Sequence, residues 1–313
     1  MEDKVRQFTF ELHDNVERKE VRFTNRYGIE LAGDIYLPKP PASQKLPALV
    51  IGGAFGAVKE QASGFYANQM ASRGFVTLAF DPSFIGESGG PRNVASGDIH
   101  TEDIMSAVDR LGQEPLVDRK RIGAIGICGW GSLFINATSL DTRIKALATI
   151  SMFDNHQYMK DMDQTALEDL AEQRWQDVDS GIPAKLPRRF GEHLPEGSHP
   201  DEADTFDYYK KRGYHPNSRL SEDNWLAIMP YGFINTPLIN RIDKISPRPL
   251  LMIAGEKARL RGMTESAFEQ AKEPKELIIV SDAYHCTLYD DLEKIPFDRF
   301  EVFFKENLKH KIS

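Results

Sequence analysis

Of the two cysteines in this 313-residue sequence, Cys128 and Cys286, the first sits where chemistry could be done. In RIGAIGICGWGSLFINA, residues 121–137, an apolar run ends at Ile127 and Cys128 follows at once. Gly126, Gly129 and Gly131 crowd around it before a helix-like stretch begins. A strand that turns sharply into a helix brings backbone segments together, so it needs small residues, and it forces the apex residue to φ > 0. The apex sulfur would then stand above the sheet with a helix N-terminus beneath it. The positive end of that helix, or a nearby imidazole, favours the thiolate. The chemistry this suits is nucleophilic attack on a carbonyl carbon. Ser132, a turn into the same helix, would not crown the bend. Other chemistries lack their residues. There is no H-E-x-x-H and no paired C-x-x-C to hold a metal. The segments GGAFG (52–56) and GICGWGS (126–132) contain neither G-x-G-x-x-G nor a Walker lysine before Ser/Thr. No cofactor and no metal are expected.

The elements that must position Cys128 follow from the rhythm of the chain. Residues 21–25 and 29–37 read as a hairpin turning at Tyr27-Gly28, followed by the proline-rich loop PKPPASQK, 38–45. Short continuous apolar runs then recur at 47–51, 75–80, 122–127, 144–150, 249–254 and 277–280. They alternate with helix-like stretches at 61–73, 102–111, 132–140, 265–271 and 297–308. Strands apolar on both faces, alternating with helices, predict a doubly wound α/β fold with a mostly parallel sheet. From Ser151 to Ile242 the rhythm breaks into a charged, aromatic, helical stretch. It is expected to be an insertion, or cap, on a core formed by residues 1–150 and 243–313. The insertion leaves and rejoins at the sheet edge where such folds bind ligands. Trp175, Tyr208, Tyr209 and Trp225 within it could line a pocket or simply pack.

Composition narrows the partners. With 39 Lys plus Arg and 47 Asp plus Glu the formal net charge is −8. No basic cluster is interleaved with aromatics, so no nucleic-acid partner is expected. The opening MEDKVRQFTF has no apolar signal region, and no apolar run approaches the ~18–20 residues that span a bilayer, so no membrane association is expected. Two cysteines form no disulfide framework, which points to a reducing, cytoplasmic setting.

The stretch 121–137 resembles the nucleophile elbow of the α/β-hydrolases in the cysteine form found in dienelactone hydrolase, G-x-C-x-G-G. Trp130 stands where a small residue is usual. PALVIGGAFGAVKEQ (47–61) resembles the family's loop after the third strand, which implies that the backbone N–H groups of Ala54 and Gly129 form an oxyanion hole. DPSFIGESGG (81–90) resembles the loop after the fourth strand, although Asp81 and Ser88 themselves read as turn formers. SDAYHCTLYD (281–290) resembles the loop after the last strand, which implies that His285 is the catalytic base. Glu256, just beyond the seventh strand, is the acid by position, with Asp154 in reserve. The resemblance, which covers most of the chain outside the insertion, implies an α/β-hydrolase fold with an antiparallel N-terminal hairpin and a helical cap. It implies an enzyme cleaving a carboxylic ester, lactone or thioester of a small molecule through an acyl-cysteine and a Cys128–His285–Glu256 triad. Dienelactone itself is not implied, because the glutamate that precedes the oxyanion residue in that enzyme falls on Gly53. The alternative is a non-catalytic member of the fold that binds a ligand or a partner.

Overall fold

A computed structural model describes residues 7–40, 42, 44–221 and 224–309. Expectations for residues 1–6, and for positions 41 and 43 of the proline-rich loop, lie outside the described residues. The chain opens with the antiparallel pair β1 (Val16–Thr24) and β2 (Glu30–Pro38), in register from Val16 opposite Pro38 to Thr24 opposite Glu30. Their turn uses Gly28 at φ 77°. The Asn25 side chain closes it, accepting from the N–H groups of Tyr27 and Ile29 at 3.0 Å each. β1 starts five residues before the apolar run suggests. Its first half, VERKE, is charged and mostly exposed, because an edge strand buries few of its side chains.

Then follow β3 (Leu46–Gly52), α1 (Ala62–Ser72), β4 (Val76–Phe80), α2 (Gly97–Gly112), β5 (Val117–Ile127), α3 (Gly129–Leu140) and β6 (Ile144–Ile150). The segment between β6 and the next strand holds α4 (Asn155–Met159), α5 (Gln164–Ser180) and α6 (Pro200–Asp207), with a single isolated β-bridge, Lys185 to Leu226, among its described residues. β7 (Leu250–Gly255), α7 (Arg261–Gln270), β8 (Lys275–Val280), the short α8 (Thr287–Asp290) and α9 (Phe297–Asn307) complete the chain. The sheet runs β1-β2-β4-β3-β5-β6-β7-β8; β2 is antiparallel to β4, and every pair from β4/β3 onward is parallel.

Alternation along β3 shows why both faces are covered. Ala48 and Val50 pack with Ile104, Val108 and Leu111 of α2 and with Leu133 and Phe134 of α3. Leu49 and Ile51 pack with Tyr66 and Met70 of α1 and with Phe300 and Phe304 of α9. Connections from β3 and from β5 leave in opposite directions across the sheet. The crevice between their C-terminal ends is therefore the switch point where ligands bind in such folds. Among the described residues, no helix is long and apolar enough to cross a membrane.

Trp130, the residue that departs from the usual elbow pattern, is buried on the α2 and α3 side of the sheet. It stacks on His100 at 5.6 Å and meets Phe80 edge-on at 5.6 Å. Its ring has room because residue 52 is glycine: a Cβ there would collide with the rings of Phe134 and Trp130. Trp130→Ala should therefore lower the unfolding free energy by about 3–5 kcal/mol. A urea titration would show this as a lower midpoint with an unchanged slope.

Candidate active site

Cys128 adopts φ 55°, ψ −126° between β5 and α3, a left-handed conformation that costs a residue with a side chain about 1–3 kcal/mol. Three hydrogen bonds hold it there. Its N–H donates to Ile150 O at 3.0 Å, and its carbonyl accepts from Gly131 N at 2.8 Å and Phe153 N at 2.9 Å. The three glycines are required by contact. A Cβ on Gly126 would lie 2.8 Å from the Trp130 carbonyl oxygen, one on Gly129 2.7 Å from Phe55 Cβ, and one on Gly131 2.7 Å from Met152 Cγ. The Phe55 contact also shows that the loop after β3, with Ala54 buried in it, lies directly against the first residue of α3. Ser132 turns back, donating to Gly129 O at 3.2 Å inside the helix.

His285, in the loop after β8, lines the same cavity as Cys128, and the imidazole and the thiol act on each other through charge and hydrogen bonding. Its Nε2 lies 3.1 Å from the Tyr289 hydroxyl, which also reaches the sulfur. Burial pushes the Cys128 thiol up. The His285 charge, the His285 and Tyr289 hydrogen bonds and the Gly129 amide outweigh that, holding the thiol below its ordinary range. The converse holds for His285: burial pushes its imidazole down, but the charge and hydrogen bond of Cys128, and then Asp201, raise it above the ordinary value. Both directions run toward a thiolate–imidazolium pair. Tyr289, pushed well above its ordinary value by burial and then by the thiolate, stays a neutral donor. Sequence reasoning missed Tyr289; its place four residues after His285, on the turn of α8, was the available signal.

Glu256 is not brought to this imidazole. Its exposed carboxylate accepts from the Ser281 hydroxyl at 3.1 Å and the Asp282 amide at 3.0 Å, and these bonds hold it below the usual range. Glu256 follows β7 as expected, but the short strand-to-loop connection points it at the base of the 281–286 loop. Asp154 caps α4, accepting from His156 N at 3.0 Å. The carboxylate that does reach His285 is Asp201, near the start of α6. Its Oδ1 accepts from the His285 backbone N–H at 2.8 Å, and its Oδ2 from Arg259 N at 3.3 Å. Nothing in the sequence marks Asp201, because it lies 84 positions from its partner in the insertion.

Cys128, His285 and Asp201 face one cavity of about 200 Å³, walled by Phe55, Phe153, Tyr209, Leu220, Trp225 and Met229. Trp225 stacks on Phe55 at 4.3 Å. Two of the four aromatics singled out in the insertion, Tyr209 and Trp225, thus line the pocket. Tyr208 instead packs edge-on against Tyr209 and Tyr289, and Trp175 is 67% exposed. A wider depression of about 590 Å³, between residues 9–14 and Arg212, contains neither Cys128 nor His285.

A buried charge cluster fixes the loop after β3. Lys59 Nζ meets Glu60 at 2.7 Å and Asp81 and Glu87 at 3.0 Å each. Asp81 also accepts from the N–H groups of Lys59 at 2.8 Å and Glu87 at 2.9 Å. Burial and the neighbouring Asp81 charge raise Glu60 to about 7. Asp81 and Ser88 act structurally: Ser88 Oγ donates to Asp81 O at 2.6 Å.

Comparison with known proteins adds kinship to this geometry. A family model described as the alpha/beta hydrolase fold matches residues 47–292. The chain is 51% identical over 311 residues to the uncharacterized protein PA2218 of Pseudomonas aeruginosa, covering 96% of this chain and 83% of that one. The crystal structure of PA2218 matches with a TM-score of 0.92 at 50% identity over 96% of both chains. A polyketide transferase of Penicillium sp., grgF, is 28% identical over 288 residues, 89% of this chain and 93% of that one. The crystal structure of the alpha/beta hydrolase GrgF from Penicillium sp. sh18 matches with a TM-score of 0.78 at 26% identity, over 93% of this chain and 99% of that one. A thiohydrolase of Aspergillus aculeatus, aneE, is 34% identical over 140 residues, 44% of this chain and 43% of that one.

Such a pair would have a pH signature. The rate of Cys128 alkylation by iodoacetamide should follow the thiolate fraction, with a midpoint below that of a free thiol. His285→Ala removes the cation, so the midpoint should move to higher pH, leaving little reaction near pH 6. Peptide mass mapping across pH 5–10 would read both profiles, and coincident profiles would exclude the pair.

Proposed function

Because the chain belongs to the alpha/beta hydrolase fold family, we propose that it is an acyl-transfer enzyme in which Cys128 takes an acyl group from a thioester or ester. The observation that carries this reading is the sulfur at the strained bend, sharing a largely apolar cavity with His285. The relatives support it: one is named a thiohydrolase and another a polyketide transferase, and both names describe handling of acyl groups. Thiolate attack on a thioester suits this nucleophile, since it exchanges one carbon–sulfur bond for another. Esters and lactones are slower members of the same class, in keeping with the narrower resemblance to dienelactone hydrolase.

In the proposed reaction the Cys128 thiolate attacks the carbonyl carbon, and the carbonyl π pair moves onto oxygen. The N–H groups of Ala54 and Gly129 bind that oxyanion, a contribution of about 3–4 kcal/mol for each donor in comparable sites. Collapse expels the thiol or alcohol, which takes its proton from His285. The now neutral imidazole removes a proton from water, or from an acceptor alcohol, as that oxygen attacks the acyl-cysteine. Asp201 replaces Glu256 as the carboxylate of the set. It fixes His285 through the backbone N–H and favours the imidazolium by charge. Residues 151–242 serve as a cap that supplies Asp201, Tyr209 and Trp225 to a core of residues 1–150 and 243–313. A catalytic free thiol suits a reducing compartment, the cytoplasm.

Short acyl-thioesters should release thiol in the presence of the protein, and intact-mass spectra should show an acyl adduct on Cys128. Cys128→Ala should lower turnover by at least about 10³-fold; equal rates for the two proteins would refute the assignment. Asp201→Asn should reduce kcat/KM by about 10–100-fold, whereas Glu256→Gln should stay within about twofold. The reverse ranking would restore Glu256 as the acid.

A further inference from the structure

One polar side chain in the cavity has no task in the steps above. Asn155, the first residue of α4, is 1% exposed and lines the cavity beside Cys128. Its Nδ2 has no hydrogen-bond partner among the described residues, although a buried N–H that finds no acceptor destabilises the fold. The same nitrogen lies 3.1 Å from the point where a Cβ on Gly129 would stand, and Phe55 Cβ lies 2.7 Å from that point. The Asn155 amide and the loop after β3 thus both lie against Gly129, the residue whose N–H is assigned to the oxyanion.

The position is fixed by the elbow itself. Phe153, two residues earlier, donates its N–H to the Cys128 carbonyl at 2.9 Å. Asp154 caps the turn by accepting from His156 N at 3.0 Å, and His156 Nδ1 lies 2.9 Å from Phe233 O. Asn155 is therefore held against the nucleophile's own backbone, on a segment with little freedom to turn its amide elsewhere. A buried donor without a partner among the described residues, in the wall of the cavity that holds Cys128, can take an acceptor that a substrate brings there.

Resting on the acyl-transfer reading, we infer that Asn155 Nδ2 is a third donor to the oxyanion formed when Cys128 attacks an acyl thioester. As the carbon–sulfur bond forms and the carbonyl π pair moves to oxygen, the Nδ2–H hydrogen-bonds that oxygen. No proton is transferred, and the bond relaxes when the leaving thiolate departs and the carbonyl reforms. Because the amide is neutral at all working pH values, its contribution adds no ionisation to the pH profile.

The test compares wild type with Asn155→Leu, which keeps bulk and loses the donor, and Asn155→Asp, which keeps shape and replaces the donor with an acceptor. Single-turnover thiol release from a short acyl-thioester should slow by about 10²-fold in both variants, with KM changed only a few-fold. Alkylation of Cys128 by iodoacetamide, a displacement at a saturated carbon that builds no oxyanion, should keep its wild-type rate and pH midpoint in Asn155→Leu. Variants that acylate at the wild-type rate would overturn the inference. So would a loss of alkylation in Asn155→Leu in step with acylation, since Asn155 would then be supporting the elbow rather than the oxyanion. Wild-type protein that forms no acyl adduct would instead overturn the acyl-transfer reading itself.

Discussion

The left-handed bend at Cys128 is the constraint around which the molecule is arranged. A side-chain-bearing residue stays in that conformation only if its surroundings over-determine it. Here one neighbouring strand takes its N–H, and α3 and the segment after β6 both bond its carbonyl. Three glycines let the backbones approach, and Gly52 admits the Trp130 ring beneath them. The bend in turn fixes three things: the height of the sulfur above the sheet, the helix N-terminus below it, and the path of residues 151–155. A substitution at any of these glycines would therefore reach the sulfur through the backbone.

Charge at the site is organised by burial. Neither a thiolate nor an imidazolium is favoured alone in a cavity walled by aromatics; each is favoured because the other is present and because Tyr289 and the Gly129 amide donate to the sulfur. Asp201 adds its charge without touching the ring, by accepting the backbone N–H of His285. That bond also ties the segment between β6 and β7 to the loop after β8, and the other oxygen of the carboxylate takes the Arg259 amide, beyond β7. Arg212 reinforces the tie, pairing with Asp204 and Asp207 of the insertion and with Asp290 beyond the histidine loop. In the proposed enzyme, seating the insertion and completing the catalytic set are one event.

The opposite wall of the site depends on a buried cation. Lys59, with its carboxylate neighbours and the Asp81 bonds to two backbone amides, locks the loop after β3 to the loop after β4. Burying such charges is unfavourable unless each is paired, as these are, and the pairs join the two loops. The path matters because Ala54 and Phe55 lie on it, against Gly129.

Legible in the sequence alone were the α/β class, the succession of strands and helices, the helical stretch after β6, the sharp bend at Cys128 and the position of His285 just past β8. Each is written in local pattern: continuous apolar runs, glycines around a cysteine, a histidine just past the last strand. The start of β1 was hidden because an exposed edge strand carries charges like a loop does. Tertiary structure decided what local pattern cannot encode. It put Asp201 rather than Glu256 on the His285 backbone amide, sorted Tyr209 and Trp225 into the pocket and Trp175 out of it, and set Tyr289 and Asn155 in the wall of the cavity that holds Cys128. Those placements depend on how the long segment between β6 and β7 packs against the ends of the strands, and residues brought together from distant parts of the chain share no periodicity that spacing could reveal.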